Sequence, residues 1–216
     1  MLTVSKDGAE VSRLADSLLT GRRRIIGIAG APGAGKTKLA LALVRHLGDR
    51  AAYLPMDGFH LADVELARQG ILDRKGAPET FDAWGYAALL GRVRSGPSYP
   101  VYAPDFDRSL EQPVAGAVAV APGVEVVVTE GSYLMLDRPE WRTVQSQLDE
   151  TWYVFTDDRL RRDRLRARHR QFGKTEQESK DWVDRVDEPN ARMIEATRTR
   201  ADRRIDLTGW TASLND

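Results

Sequence analysis

Eight residues, Gly30-Ala31-Pro32-Gly33-Ala34-Gly35-Lys36-Thr37, stand between a short apolar run, Arg24 to Ala29, and a longer one, Lys38 to Val44. No other feature constrains the fold as strongly. The first run has the length of a buried strand, the second the composition of a buried helix. Glycines at this spacing let the backbone curl so that successive N–H groups point inward at an anion, and the helix that follows adds the positive end of its dipole. A turn that merely links strand to helix is the plain alternative, but the full eight-residue pattern in its required context outweighs it. The pattern implies a nucleoside triphosphate bound along Gly30, Ala31, Pro32, Gly33, Ala34 and Gly35, with Lys36 on the β and γ phosphates and the Thr37 hydroxyl on Mg²⁺.

The chain has 216 residues, enough for one domain, with 32 basic and 32 acidic side chains. Such a balance gives no global field to recruit nucleic acid or a membrane, so an anion site must be made locally and the partner is expected to be small. Cysteine is absent, which removes disulfides and thiol chemistry and agrees with a cytoplasmic location. Residues 1–8 lack the basic start and apolar core of a signal peptide, and no run approaches membrane-spanning length.

Apolar and turn signals alternate along the rest of the chain. Leu14, Leu18 and Leu19 mark an opening helix, followed by Arg22 to Arg24, read as a solvated face. Ala51 to Met56 predicts a strand ending at Asp57-Gly58-Phe59-His60. A helix through Tyr86, Leu89, Leu90 and Val93 comes next, and Tyr99 to Tyr102 with Val114 to Val120 predict an irregular hairpin, a substrate-covering excursion over about 98–121. Val124 to Thr129 is a continuous apolar, β-branched run that reads as a central parallel strand and leads into Glu130-Gly131. A helix from Trp141 to Leu148, a strand from Glu150 to Phe155, a densely basic helix from Arg159 to Arg170, a break at Gly173-Lys174, a helix through Trp182, a helix from Ala191 to Ala201 and a strand at Arg204 to Leu207 complete the pattern. The expectation is one α/β domain over residues 1–216, a three-layer sandwich with a mainly parallel sheet and a helical lid over about 159–180.

Phosphoryl transfer needs positioning, neutralisation of charge on the moving group, and a carboxylate to take the proton of an attacking hydroxyl. Asp57, at a strand end, is the candidate base; alone, an Asp-Gly turn would explain it as well. Glu130 closes the most apolar strand, where an acidic residue holds Mg²⁺ directly or through water. Asp157 and Asp158 read as a helix start. Helical spacing sets Arg161, Arg164 and Arg168 near one face; Arg164 and Arg168 are the candidates to stabilise transition-state charge, with Lys174 behind them. His60, Arg74, Lys75, Tyr102, Asp107 and Arg108 are candidates for the acceptor, although loop polarity explains them too. His46 and His169 read as structural or solvated.

The loop Gly30 to Thr37, Met56-Asp57-Gly58-Phe59, Arg74-Lys75-Gly76 with Pro78-Glu79, Val101-Tyr102, Glu130-Gly131, the arginine-rich segment, Asn190 and Ala196 to Ala201 together resemble the uridine kinase, phosphoribulokinase and type I pantothenate kinase group of P-loop kinases. The resemblance covers nearly the whole chain. It implies a P-loop NTPase fold, MgATP as donor, Asp57 as the acceptor-activating carboxylate, Lys36 and Thr37 serving phosphates and Mg²⁺, and Glu130 near the metal. The acceptor it implies is a hydroxyl of a small metabolite such as a sugar, a nucleoside or a pantothenate-like alcohol, with a nucleotide-gated ATPase switch as the alternative and a homodimer as one open arrangement. Pro104 stands where pantothenate kinases carry a histidine, and Met193 where they carry an asparagine. The pattern, including His60 and Arg74 to Asp82, looks closer to short bacterial proteins of the group labelled nucleoside or fructose-transport kinases.

Overall fold

The computed structural model describes residues 1–211. Six strands, β1 (Leu2–Thr3), β2 (Arg24–Ala29), β3 (Ala51–Pro55), β6 (Val126–Glu130), β7 (Glu150–Phe155) and β8 (Arg203–Asp206), form one sheet in the order β1-β8-β7-β2-β6-β3, and every neighbouring pair is parallel. β4 (Val101–Asp107) and β5 (Gln112–Val120) form a separate antiparallel hairpin with a register shift between Ala103 and Asp105.

Alternation along the central strands divides the core in two. Ile26 and Ile28 of β2 and Val126 and Val128 of β6 face α1 (Ala9–Asp16) and α2 (Lys36–Leu47), joining Leu14, Leu39 and Leu43. Ile25 and Val127 face the opposite way, toward Tyr86 and Leu90 of α4 (Ala83–Arg94) and Trp141 of α5 (Pro139–Gln145). A parallel strand covered on both sides must be apolar at nearly every position, which is why β6 is buried throughout.

The arginine segment forms α6 (Asp158–Gln171), whose first turn is capped by the Asp157 carboxylate accepting from Leu160 N at 3.0 Å. α7 (Glu176–Trp182) follows behind a Thr175–Glu178 capping box, and a π-helical turn over Val183–Asp187 leads into α8 (Glu188–Glu195). A short α3 (Asp63–Arg68) lies before the hairpin region. No helix of the described residues is long and apolar enough to cross a membrane.

Several sequence expectations need correction. β1 was not expected, because two residues, Leu2 and Thr3, carry no periodic signal; their place comes from pairing with Ile205 and Asp206. The last helix ends at Glu195, and a 3₁₀ turn over Arg198–Arg200 replaces its expected continuation. Of the Arg22 to Arg24 run, only Arg22 is fully solvent-facing. Arg24 pairs with Glu150 at 3.0 Å. Arg23 donates to four carbonyls, Val93 at 3.0 Å, Ala121 at 3.0 Å, Pro122 at 2.6 Å and Val124 at 2.8 Å. A guanidinium has five N–H donors in a fixed fork, so one side chain can satisfy several loop carbonyls that have no ladder partner.

Candidate functional site

Three strand ends meet at the site. β2 runs into the glycine-rich loop, β6 lies beside it and ends in Glu130, and β3 lies beyond β6, with Pro55 in register with Glu130 and Asp57 two residues further. β3 follows β2 in sequence but not in space; the intervening β6 places Asp57 close to Glu130. The crossover is a consequence of parallel pairing, since parallel neighbours need a long connection.

The loop is held by close backbone approach. Gly33 has φ of +79°, and a Cβ there would lie 2.8 Å from the Arg161 carbonyl oxygen, so only glycine lets α6 pack onto the loop. Lys36, at the start of α2, donates from Nζ to Gly30 O at 3.0 Å and Ala31 O at 3.3 Å. Burial pushes its ammonium pKa down, while Glu130 and Asp57 oppose that shift. The Thr37 hydroxyl donates to Glu130 Oε1 at 2.9 Å, and the Tyr53 hydroxyl donates to the same oxygen at 2.8 Å. Burial raises the Glu130 pKa, Lys36 lowers it, and Asp57 raises it further. A hydroxyl and a carboxylate in direct contact beside a phosphate cradle form a donor set suited to Mg²⁺, which takes one or two protein oxygens and completes its shell with phosphate and water. The residues present fit that ion.

Asp57 lies on a 3₁₀ turn over Met56–Phe59 and is about one third exposed. The next residue explains why the hairpin can cover it. A Cβ on Gly58 would lie 2.2 Å from Pro104 O and 3.0 Å from Asp105 N, so the hairpin backbone rests directly on the turn that carries the carboxylate. Arg108, in the turn between β4 and β5, donates from Nη2 to Asp57 Oδ2 at 2.7 Å. His60 is packed between Phe81 and Phe106, with ring centroids at 4.0 and 4.8 Å, and its Nδ1 lies 2.7 Å from Asp57 O. Burial lowers its pKa, against the pull of Asp57.

α6 brings Arg164 to the loop and turns Arg168 one helical turn further along. Arg164 Nη1 lies 3.9 Å from where a Cβ on Gly35 would be, and its charge lowers the Lys38 pKa. Arg168 keeps solvent-accessible surface, yet the protein around it lowers its pKa, Arg108 adds to the effect, and Asp187, Asp57 and Glu130 oppose it. Arg168 also lowers the Lys36 pKa, which sets it among the charges at the strand ends. Arg161, expected on the same face, is instead buried and bound to Glu188 and Asp158; its fork anchors α6 to α8.

Other expected contacts are placed elsewhere. Tyr102 is 60% exposed, on the opposite side of β4 from buried Val101 and Ala103. The Asp107 carboxylate caps the hairpin turn, accepting from Ser109 N at 2.8 Å and Leu110 N at 3.2 Å. Arg74 pairs with Glu79. Lys75 ties Asp63, at 2.6 Å, to Glu111 O, at 2.5 Å, and so braces the hairpin turn against α3. Lys174 sits 4.3 Å over the Trp182 ring. Polar loop residues satisfy one another before they face a ligand, and sequence does not distinguish the two uses. Tyr53 was missed altogether; a lone hydroxyl in an apolar strand beside the acid-terminated strand is the signal that would have found it.

The parallel sheet, the loop between β2 and α2, and the acid at the end of β6 define a P-loop NTPase α/β fold. No protein-family model matches the chain. It is 31% identical over 202 residues to a Schizosaccharomyces pombe protein named "Putative uridine kinase", an alignment covering 88% of this chain and 86% of that one. A crystal structure titled "putative fructose transport system kinase", from Silicibacter sp. TM1040, superposes with a TM-score of 0.81 at 33% identity, over 90% of this chain and 98% of the other. Likeness to a pantothenate kinase of Bacillus velezensis, 35% over 112 residues, covers only 50% of this chain and 35% of that one. The chain belongs to the uridine kinase, phosphoribulokinase and type I pantothenate kinase group of P-loop kinases.

Proposed function

We propose that the chain transfers the γ-phosphoryl group of MgATP to a hydroxyl of a small metabolite. The observation that carries this reading is the convergence of Lys36, the Thr37–Glu130 pair and Asp57 at the ends of β2, β6 and β3. The acceptor oxygen forms a bond to the γ-phosphorus, the bond from that phosphorus to the β,γ-bridging oxygen breaks, and the hydroxyl proton passes to Asp57. Lys36 and Arg168 face the phosphoryl group as charge moves from it to the leaving ADP. Bound at Thr37 and Glu130, Mg²⁺ would screen the phosphate oxygens. The hairpin lying on Gly58 covers one side of the base.

A coupled assay of ADP formation across sugars, nucleosides, hydroxy acids and vitamin-like alcohols tests the reading. Acceptor-dependent ADP release is the expected result, and Asp57→Asn is expected to lower it by about 10²- to 10⁴-fold while nucleotide binding by calorimetry stays near wild type. Hydrolysis at the same rate with and without every acceptor would instead mark a nucleotide-gated ATPase. An Asp57→Asn enzyme that retains transfer would sink the base assignment.

A further inference from the structure

Arg108 occupies an unusual place for a hairpin-turn arginine. Among the described residues its one ion-pair partner is Asp57, at 2.7 Å, the carboxylate to which the preceding reading assigns the acceptor proton. Its guanidinium stands 5.1 Å over the Phe106 ring. The contact uses one N–H on one carboxylate oxygen, Oδ2, leaving Oδ1 for a hydroxyl and further N–H donors of the five-donor fork for another group.

A group held at Oδ1 therefore has a guanidinium within one or two carbon atoms of its hydroxyl. A neutral alcohol would leave that cation facing carbon. A carboxylate on a neighbouring carbon would take two N–H bonds in parallel, the geometry that favours arginine for carboxylates. Two neighbouring cations on this side are committed. Lys75 is bound to Asp63 and Glu111 O, and Arg74 to Glu79. The N–H groups of Arg108 that Asp57 does not use suit one carboxylate.

We propose that the acceptor is a small hydroxy acid, a monocarboxylate with its reacting hydroxyl one or two carbons from the carboxylate, and that Arg108 is the residue that selects it. This rests on the kinase reading above. Arg108 positions the acceptor through its carboxylate, and Asp57 receives the proton of its hydroxyl.

The test pairs hydroxy acids such as glycerate and pantoate with their own amides and with neutral nucleosides, sugars and glycerol, in the wild-type protein and in Arg108→Gln and Arg108→Lys. The expected result is a kcat/KM for one hydroxy acid at least about 100-fold above that of its amide, as for a site whose charged group is left unmatched. Arg108→Gln should raise the KM for the acid by a similar factor, shrink the acid-to-amide ratio toward one and leave the KM for ATP unchanged, with Arg108→Lys intermediate. Neutral acceptors that turn over while no acid does, or an acid preference that survives Arg108→Gln, would overturn the selection by Arg108 and leave the kinase reading standing. Absence of acceptor-dependent ADP with both sets would overturn both.

Discussion

The phosphate side and the acceptor side of the site are built by opposite means. On the phosphate side, Lys36, Glu130 and Tyr53 are fixed by the central sheet: Lys36 follows β2, Glu130 ends the wholly buried β6, and Tyr53 reaches across from β3. The side proposed for the acceptor is a two-stranded hairpin outside the sheet, laid on Gly58 and tied by Arg108 to Asp57 and by Lys75 to α3. Buried strands have no freedom to move a side chain without opening a cavity. A hairpin held by half-exposed ion pairs can change residue by residue. On the kinase reading proposed above, the first kind of construction would hold the phosphoryl chemistry fixed and the second would let the acceptor vary around it.

Removing the phosphate-side charge should be the most damaging change. Lys36→Ala is expected to cut turnover by about 10³-fold with any acceptor, read as kcat at saturating nucleotide; a loss confined to one acceptor would erase the distinction between the two sides. A hairpin change should be milder and acceptor-specific. Gly58→Ala pushes a methyl group against Pro104 O, and misplacement on that scale costs up to about 10²-fold in kcat/KM for the acceptor, with the KM for ATP unaltered in the same kinetic series. Tyr53→Phe takes one hydrogen bond from Glu130, a loss of about 1 kcal/mol, and should raise the Mg²⁺ concentration needed for half-maximal rate; an unchanged Mg²⁺ titration means that the hydroxyl does not support the carboxylate.

The smallest effect concerns pH. His60 has a lowered pKa in the folded protein because it is buried between Phe81 and Phe106. The unfolded chain therefore takes up a proton at higher pH than the folded one does, so stability falls as pH drops through the ordinary histidine value of 6.5 toward the folded one. Melting temperatures measured on either side of that value should differ less in His60→Phe than in the wild type. An equal difference in both would place the pH response on other groups.

What could be read from sequence follows the same division. Val126 to Glu130, Arg24 to Ala29 and the loop between them announce themselves, because parallel strands buried on both faces must be apolar throughout and a phosphate cradle needs glycine at set positions. Lys36, Thr37, Asp57 and Glu130 could be placed because each is tied to a strand end. Arg74, Lys75, Tyr102 and Asp107 could not. Their sequence setting is a polar loop, and whether a charged side chain there grips Glu79, braces Glu111, faces water or meets a ligand depends on how that loop folds on itself and, for Lys75, on contacts 12 and 36 residues away. Arg108 shows the other side of this limit: its residue type was legible, and its partner Asp57, 51 positions away, was not.

Arg23 carries a consequence for how the acceptor side can be exchanged. Its fork binds Val93 at the end of α4 and Ala121, Pro122 and Val124 before β6, so the chain leaves for the hairpin and returns from it at a single point. Residues 95–120 are a detour with both feet on one guanidinium. A segment grafted between those feet would have to supply the apolar side chains that Val101, Ala103 and Val120 bury in the core, and Arg23 is the seam along which such a graft should be cut.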